Sequence, residues 1–392
     1  MNKVKIGVIG LGDISNWHIS AISNLTEAKV VAICDINEES LKEKAAHYGI
    51  KRIYTDYHEM LIKGDIDAVI ICTPTKFHVE MTIAAAEAGK HVLVQKPVAR
   101  NLEECDEMIR ACRKADVTLM PSLMHIWFPE TIMAKKLIEE GAIGRITMAK
   151  HDNVHHKFVE DKSWWYGYPE ISGGGCLMDI GYHGVYTLRW LVGDIQKVSA
   201  KIKTFTKAVR DIELKVEDAA VLWYEFRNKS IGTHTVSWCA AEHGTVYPRF
   251  ESEVYGTEGT ILLHSPLGKI AFISKIWDES TIKEKLSGFP IQVSRIKVKK
   301  GLWLSKDWLA SPYENMLEAN YEEPKKQGKD FESMLTAHES NIDYMHKHFI
   351  DCILNDTAPS PSFEDGGKKT LEVIIAAYES NNTNRPIPIP SG

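Results

Sequence analysis

Between residues 3 and 122, short runs of β-branched and other apolar residues alternate with amphipathic stretches, a rhythm that few folds accommodate. The runs predict strands at Lys3–Ile9, Ala28–Cys34, Ala68–Cys72, His91–Val94 and Val117–Pro121. The stretches between them predict helices near Ile14–Leu25, Glu38–Tyr48, His58–Lys63, Lys76–Ala88 and Leu102–Lys114. Strands that are apolar on both faces need cover on both faces, and intervening helices supply it when the strands run parallel. The expected N-terminal fold is therefore a Rossmann-type, doubly wound parallel α/β sheet.

After a helix near Thr131–Glu140 the texture changes. Segments Ile146–Asp152, Val198–Thr204, Ala219–Phe226, Ser230–Trp238, Arg249–Tyr255 and Thr260–His264 read as successive strands without intervening helices. That pattern predicts a mainly antiparallel sheet in a C-terminal α+β domain. The expected division is 1–123 for the nucleotide domain and 124–392 for the substrate and assembly domain. Ser265–Lys329 shows no regular pattern, and two helices near Phe331–Leu354 and Glu364–Glu379 precede a Pro-rich tail. With 47 Lys+Arg against 53 Asp+Glu, the net charge of −6 argues against nucleic acid as a partner. No apolar run approaches the ~20 residues that span a bilayer, and the chain opens on a strand; a cytoplasmic protein is expected, with no membrane partner. Seven scattered cysteines without a C-x-x-C pair fit reduced thiols.

The first strand runs into Gly10-Leu11-Gly12-Asp13-Ile14-Ser15, which places G-x-G-x-x-S between strand and helix. A dinucleotide site needs a tight turn, room for the pyrophosphate to reach the backbone, and a small residue where helix meets strand. Asp35 ends the second strand, where a carboxylate can accept from ribose hydroxyls and would repel a 2′-phosphate; no arginine follows, so NAD is expected over NADP. Thr73-Pro74-Thr75 and His78 follow the third predicted strand, at the carboxyl end of the sheet where open α/β sheets bind ligands. Gln95 and Lys96 occupy the equivalent place after the next strand and complete the candidate cofactor contacts.

Together with Gln95-Lys96-Pro97 and Gly173-Gly174-Gly175-Cys176-Leu177-Met178-Asp179-Ile180-Gly181-Tyr182-His183, this pattern resembles the Gfo/Idh/MocA oxidoreductases over nearly the whole chain. The resemblance implies a nicotinamide cofactor held across a cleft. It further implies a large open-faced sheet often used for dimer or tetramer contacts, hence a homodimer or homotetramer. It also carries the chemistry of Lys96, Asp179 and His183. The residues argue the same way. Oxidising a hydroxyl removes its proton while hydride leaves the same carbon, so a base and a cation at that oxygen suffice. His183 is the expected base, Asp179, four residues earlier, its orienting or tuning partner, and Lys96 the cation that holds the developing alkoxide. Zinc at Asp179, His183, His155 and His156 lacks the usual ligand spacing, and a nicotinamide oxidant makes a Lewis acid unnecessary, so no metal is expected.

Two departures from the family stand out. Gln95 replaces the usual Glu and removes a negative charge beside Lys96, and Met124-His125-Ile126-Trp127 replaces an Arg-Arg-Phe-type run. Without those arginines a neutral polyol or glycoside fits better than a phosphorylated or carboxylated substrate. His125, Trp127, His155, His156, Trp165 and Tyr166 are the remaining substrate candidates, because aromatic faces stack on sugar C–H faces while His reads hydroxyls. The expected activity is NAD-dependent oxidation of a secondary hydroxyl of a sugar, sugar derivative, glycoside or cyclitol. A redox-assisted glycoside lyase or hydrolase would need another base, with Tyr166, His155 or His156 available. A non-catalytic nucleotide sensor would not need Lys96, Asp179 and His183 together.

Overall fold

A computed structural model describes residues 3–154, 164–209, 212–239, 249–264, 269–285, 296–299, 302–305 and 339–391. The first third folds as its apolar rhythm requires: β1 (Val4–Ile9), α1 (Asp13–Ser23), β2 (Ala28–Cys34), α2 (Glu38–Tyr48), β3 (Arg52–Tyr54), α3 (Tyr57–Lys63) and β4 (Ala68–Ile71). There follow α4 (His78–Glu87), β5 (His91–Gln95), α5 (Leu102–Ala115) and β6 (Leu119–Ser122). Ile6, Val8, Ile70, Ile71, Val92, Leu93 and Val94 are wholly buried, as strands covered on both faces must be. Asn37, Asp56 and Asn101 accept from the first free amides of α2, α3 and α5, each cap contributing ~1 kcal/mol. The six strands are parallel in the order β3-β2-β1-β4-β5-β6. The direction of winding reverses between β1 and β4, which opens a crevice at their carboxyl ends. β3 escaped the sequence pattern because it is three residues long and Arg52 and Ile53 are exposed at the sheet's edge.

Beyond α6 (Pro129–Glu139) come β7 (Ile146–Val154), α7 (Pro169–Ser172), α8 (Cys176–Val192), β8 (Ile195–Lys203), a small pair β9 (Ala208–Val209) and β10 (Ile212–Glu213), and β11 (Ala219–Phe226). The chain continues through β12 (Ile231–Ser237), β13 (Arg249–Gly256), β14 (Gly259–His264), β15 (Lys269–Ser274), α9 (Glu279–Lys285), β16 (Ile296–Lys299) and β17 (Leu302–Ser305). It closes with α10 (Glu339–Asn355), α11 (Lys369–Thr383) and β18 (Ile387–Pro388). Ten strands form one sheet, β16-β17-β15-β14-β13-β7-β12-β11-β8-β18, in which β7 and β12 run parallel and the other pairs antiparallel. The stretch Ser265–Lys329, expected to be irregular, thus contains β15, α9, β16 and β17 among its described residues. Its strands are short, and pairing in series, β15 on β14, β17 on β15 and β16 on β17, supplies what their local pattern lacks. The expectation of successive strands without intervening helices is corrected by α7 and α8, which stand between β7 and β8.

One face of this sheet is apolar and carries α8 and α11; the other, among the described residues, exposes apolar side chains. Along β11, Leu222, Tyr224 and Phe226 are buried while Val221 and Trp223 are exposed. Met148, opposite Ile231, continues that outer face, and both are exposed. Helix α10 returns to the nucleotide half, where Met345, Phe349 and Ile350 join Ile19 and Ile22 of α1 in one buried cluster. Among the described residues, no helix is long and apolar enough to cross a membrane.

Candidate active site

The Gly-rich turn joins β1 to α1 beside the end of β4. Gly10 has φ +86°, and a Cβ there would lie 2.8 Å from the backbone of Cys72 and Thr73, so only glycine lets the two strand ends meet. Gly12 is the opposite case: it is the N-cap of α1, with φ −67°, and a Cβ would meet nothing within 4 Å. That open space, in front of the amides and positive end of α1, has the room and the polarity that a pyrophosphate needs. Ser15 is fully buried and donates to the Gly12 carbonyl at 2.6 Å, filling the third small position. Asp35 accepts from the Leu11 amide at 2.6 Å and the Asn37 amide at 2.8 Å, which holds its carboxylate at the strand end where a ribose would lie. These residues fit a dinucleotide. Asp13 begins α1 and Ile14 packs into the core beside it. Lys44 of α2, not singled out in the sequence, reaches across to the Gly12 carbonyl at 3.2 Å and the Ser15 hydroxyl at 3.0 Å.

After β4 comes Thr73-Pro74-Thr75, with the Thr75 side chain buried. His78 does not face outward as a cofactor contact would. Its Nε2 lies 2.8 Å from the Thr73 carbonyl and its Nδ1 3.0 Å from that of Pro97, bracing the end of β4 against the end of β5. Burial lowers its pKa, so at neutral pH it is uncharged and only one ring nitrogen donates. Gln95 is likewise turned inward. Its Oε1 accepts from the Lys96 amide at 2.9 Å, which directs its Nε2 to His18 Nε2 at 2.8 Å. His18 Nε2 must then accept, so its Nδ1–H donates to His346 Nε2 at 2.7 Å. Burial first, and His346 second, hold the His18 pKa well below its ordinary value, as a neutral chain requires.

Lys96 follows β5 at the carboxyl end of the parallel sheet and meets Asp179 in the first turn of α8. The Lys96 ammonium donates to Asp179 Oδ1 at 2.9 Å and to the Asp179 carbonyl at 3.1 Å, and both side chains are nearly dry, 14% and 6% exposed. Asp179 therefore supplies the negative charge that residue 95 lacks. His183 lies one turn further along α8, with Nδ1 2.5 Å from the Tyr186 hydroxyl, which also accepts from the His125 amide at 3.2 Å. When Nδ1–H donates to that phenol oxygen, Nε2 is left as an acceptor, the form a base needs. Burial pushes the Tyr186 pKa well above normal, so the phenol stays neutral. Tyr186 is thus the group that meets the His183 ring at Nδ1. A His-x-x-Tyr spacing, one helical turn, was the signal in the sequence.

His125 stacks on His183 with ring centroids 3.9 Å apart and planes 15° from parallel, flanked by Phe128 and Phe250. Burial, then His151 and Lys96, hold the His125 pKa well below normal, so an uncharged ring backs the candidate base. Beneath α8, His234 Nε2 meets Asn153 Oδ1 at 2.7 Å, and any side chain at Gly184 would overlap both. Tyr166 stacks on Trp165 at 3.8 Å, and burial, helped by the Asp179 and Asp13 carboxylates, pushes its phenol well above the usual range. That pair therefore stands within electrostatic reach of both the Gly-rich turn and Asp179. Trp127 leans instead on His348, with centroids 5.0 Å apart. His155 and His156 lie outside the described residues.

Residues 4–123 match the GFO_IDH_MocA family described as "Oxidoreductase family, NAD-binding Rossmann fold", and residues 131–262 match "GFO/IDH/MocA C-terminal domain". The chain is 31% identical over 295 residues to levoglucosan dehydrogenase of Pseudarthrobacter phenanthrenivorans, covering 67% of this chain and 74% of that one. It is 31% identical over 194 residues to myo-inositol 2-dehydrogenase of Thermotoga maritima, covering 49% and 55%. The solved structure of a levoglucosan dehydrogenase in complex with NADH shares the fold, with a TM-score of 0.79 at 24% identity over 100% of both chains.

Proposed function

The chain belongs to the Gfo/Idh/MocA family of NAD-dependent oxidoreductases, and from that premise we propose that it oxidises a secondary hydroxyl of a neutral sugar, sugar derivative, glycoside or cyclitol. The observation that supports this reading is the buried Lys96–Asp179 pair, with His183 one helical turn further along α8, in a chain whose Gly-rich turn fits a dinucleotide. NAD, when bound, supplies the hydride acceptor. His183 Nε2 takes the hydroxyl proton, its ring held by Tyr186 and backed by uncharged His125. Lys96 stabilises the oxygen as negative charge develops on it, and Asp179 fixes the ammonium in place. With Lys96 committed to Asp179, the pair is neutral overall and offers no surplus charge to a substrate phosphate or carboxylate, which supports an uncharged substrate. The similarity to levoglucosan and inositol dehydrogenases agrees.

Redox-assisted bond cleavage is the second reading; of its three candidate bases, burial keeps the Tyr166 phenol protonated, and His155 and His156 lie outside the described residues. Residues 1–123 act as the nucleotide domain and 124–392 as the substrate and assembly domain, with exposed Met148, Val221, Trp223 and Ile231 on the outer sheet face supporting a homo-oligomer. The test is a panel of cyclitols, aldoses, anhydrosugars and glycosides with NAD or NADP, following NADH and released aglycone. NADH accumulation with NAD is expected. Aglycone release without NADH would overturn the dehydrogenase reading in favour of cleavage, and inactivity toward the whole panel would remove both.

A further inference from the structure

Three glycines precede α8, and neither the nucleotide site nor the proposed chemistry requires them. The packing does. A side chain at Gly175 would overlap the backbone of Glu217, and one at Gly174 would overlap the Tyr378 hydroxyl. Glu217 lies just before β11 and is buried, and this one residue answers three successive amides at the start of the helix. Its Oε2 accepts from the Gly175 amide at 3.0 Å, its backbone carbonyl from the Cys176 amide at 2.9 Å, and its Oε1 from the Leu177 amide at 3.0 Å. Tyr378 of α11 donates to the same Oε1 at 2.8 Å. The first intrahelical bond, Asp179 amide to Gly175 carbonyl at 2.9 Å, starts from this clamp.

We propose that Glu217, braced by Tyr378, is the positioning residue that sets the axial position of α8 and so the placement of Asp179 and His183 against Lys96. Every group facing its carboxylate is a donor, so the ionised form completes the clamp, and its charge complements the positive end of α8. Burial opposes that form and raises the carboxyl pKa above the ordinary value, with the Tyr378 hydroxyl and the two amides pulling the other way. A glutamine at 217 has one oxygen for two amides, and its NH2 would point at the other N–H, so α8 must shift. Because Lys96 bonds both the carboxylate and the carbonyl of Asp179, a shift of α8 is felt directly at the ammonium.

The inference rests on the reading of Asp179 and His183 as reacting groups. With the panel compound that gives NADH, Glu217→Gln is expected to lower kcat at least ~10-fold, measured well below its melting temperature, while NADH affinity by fluorescence stays within about two-fold. Loss of the anion at the helix start also moves the acid limb of the kcat/KM profile to lower pH. The other charged and titratable groups of the site, Asp179 and Tyr186 on α8 itself, His125 stacked on the His183 ring and Lys96 paired with Asp179, stay as they are. Tyr378→Phe, which keeps both amide bonds, should fold normally and lower kcat about 2–5-fold. A lower melting temperature with unchanged kcat and unchanged pH profile in both variants would reduce the clamp to a structural element and overturn the proposal. Should His183→Gln keep full turnover, the reading of the site falls first, and the two failures are told apart.

Discussion

Gly10 and Gly12 sit two residues apart, yet replacing each by alanine tests opposite things. At Gly10, φ +86° costs an L-residue ~1–2 kcal/mol, and the 2.8 Å approach to Cys72 and Thr73 forces the strand ends apart for ~1–3 kcal/mol more. Gly10→Ala is therefore expected to lower stability by ~2–5 kcal/mol with no cofactor present. At Gly12 the backbone is ordinary and the space is empty. Alanine is a poorer N-cap than glycine by up to ~1 kcal/mol, and the stiffer unfolded chain returns ~0.4–1 kcal/mol, so stability should barely move. The added methyl instead occupies the room a pyrophosphate needs. Losing one charge-assisted hydrogen bond of ~1.5–3 kcal/mol weakens NAD binding roughly 10–100-fold. Thermal melting without cofactor and NADH fluorescence titration separate the two. If Gly12→Ala binds NADH like the parent, or Gly10→Ala melts like it, the assignment of the turn is refuted.

Three further outcomes follow from the same geometry. Tyr186→Phe removes the oxygen that accepts from His125 and meets His183 Nδ1; an unpaired buried donor costs ~1–3 kcal/mol, so kcat/KM should fall about 10–100-fold with NAD affinity unchanged, and an unaltered kcat/KM would exclude Tyr186 as the orienter. Gln95→Glu should switch the His18 tautomer or charge, read by 15N NMR of the imidazole, and leave the pH–rate profile in place because Asp179 already sits beside Lys96; a displaced profile would return that role to position 95. His151, bonded to Ser252, has its pKa lowered by burial from 6.5 to about 4. Its folded pKa lies below the unfolded value, so the stability it contributes is complete above pH ~6.5 and is lost as pH falls toward ~4, by about 3 kcal/mol, with His18, His125 and His234 acting in the same direction. A melting temperature flat between pH 7 and 4.5 would contradict it.

What the sequence disclosed was whatever repeats locally. Val69 to Ile71 and Val92 to Val94 are apolar at every position because both faces are covered, so the parallel sheet could be read directly. The positions of Lys96, Asp179 and His183 were legible as motifs, but not their pairings: Asp179 is 83 residues from Lys96 and meets it only through the sheet-to-helix contact. Glu217 and Tyr378 were invisible for the same reason, lying 161 residues apart on different elements. Gln95 and His78 look like cofactor contacts in the sequence because they follow strand ends, but their partners turn them inward: His18 in one case, backbone carbonyls in the other. β15 in the stretch after Ser265 was missed because six residues with two inward apolar positions give too little periodicity to distinguish a strand from a loop.

The proposed function requires that His183 removes the hydroxyl proton and Lys96 holds the developing charge on that oxygen as hydride leaves for NAD. Its most direct test is NADH formation at 340 nm by a Lys96→Met/His183→Gln double variant, with the panel substrate that the parent oxidises. A loss of at least ~1,000-fold in kcat/KM with NADH binding retained is expected, from removal of both the base and the charge stabilising the alkoxide. Turnover at the parent's rate in a folded, NADH-binding double variant would contradict it.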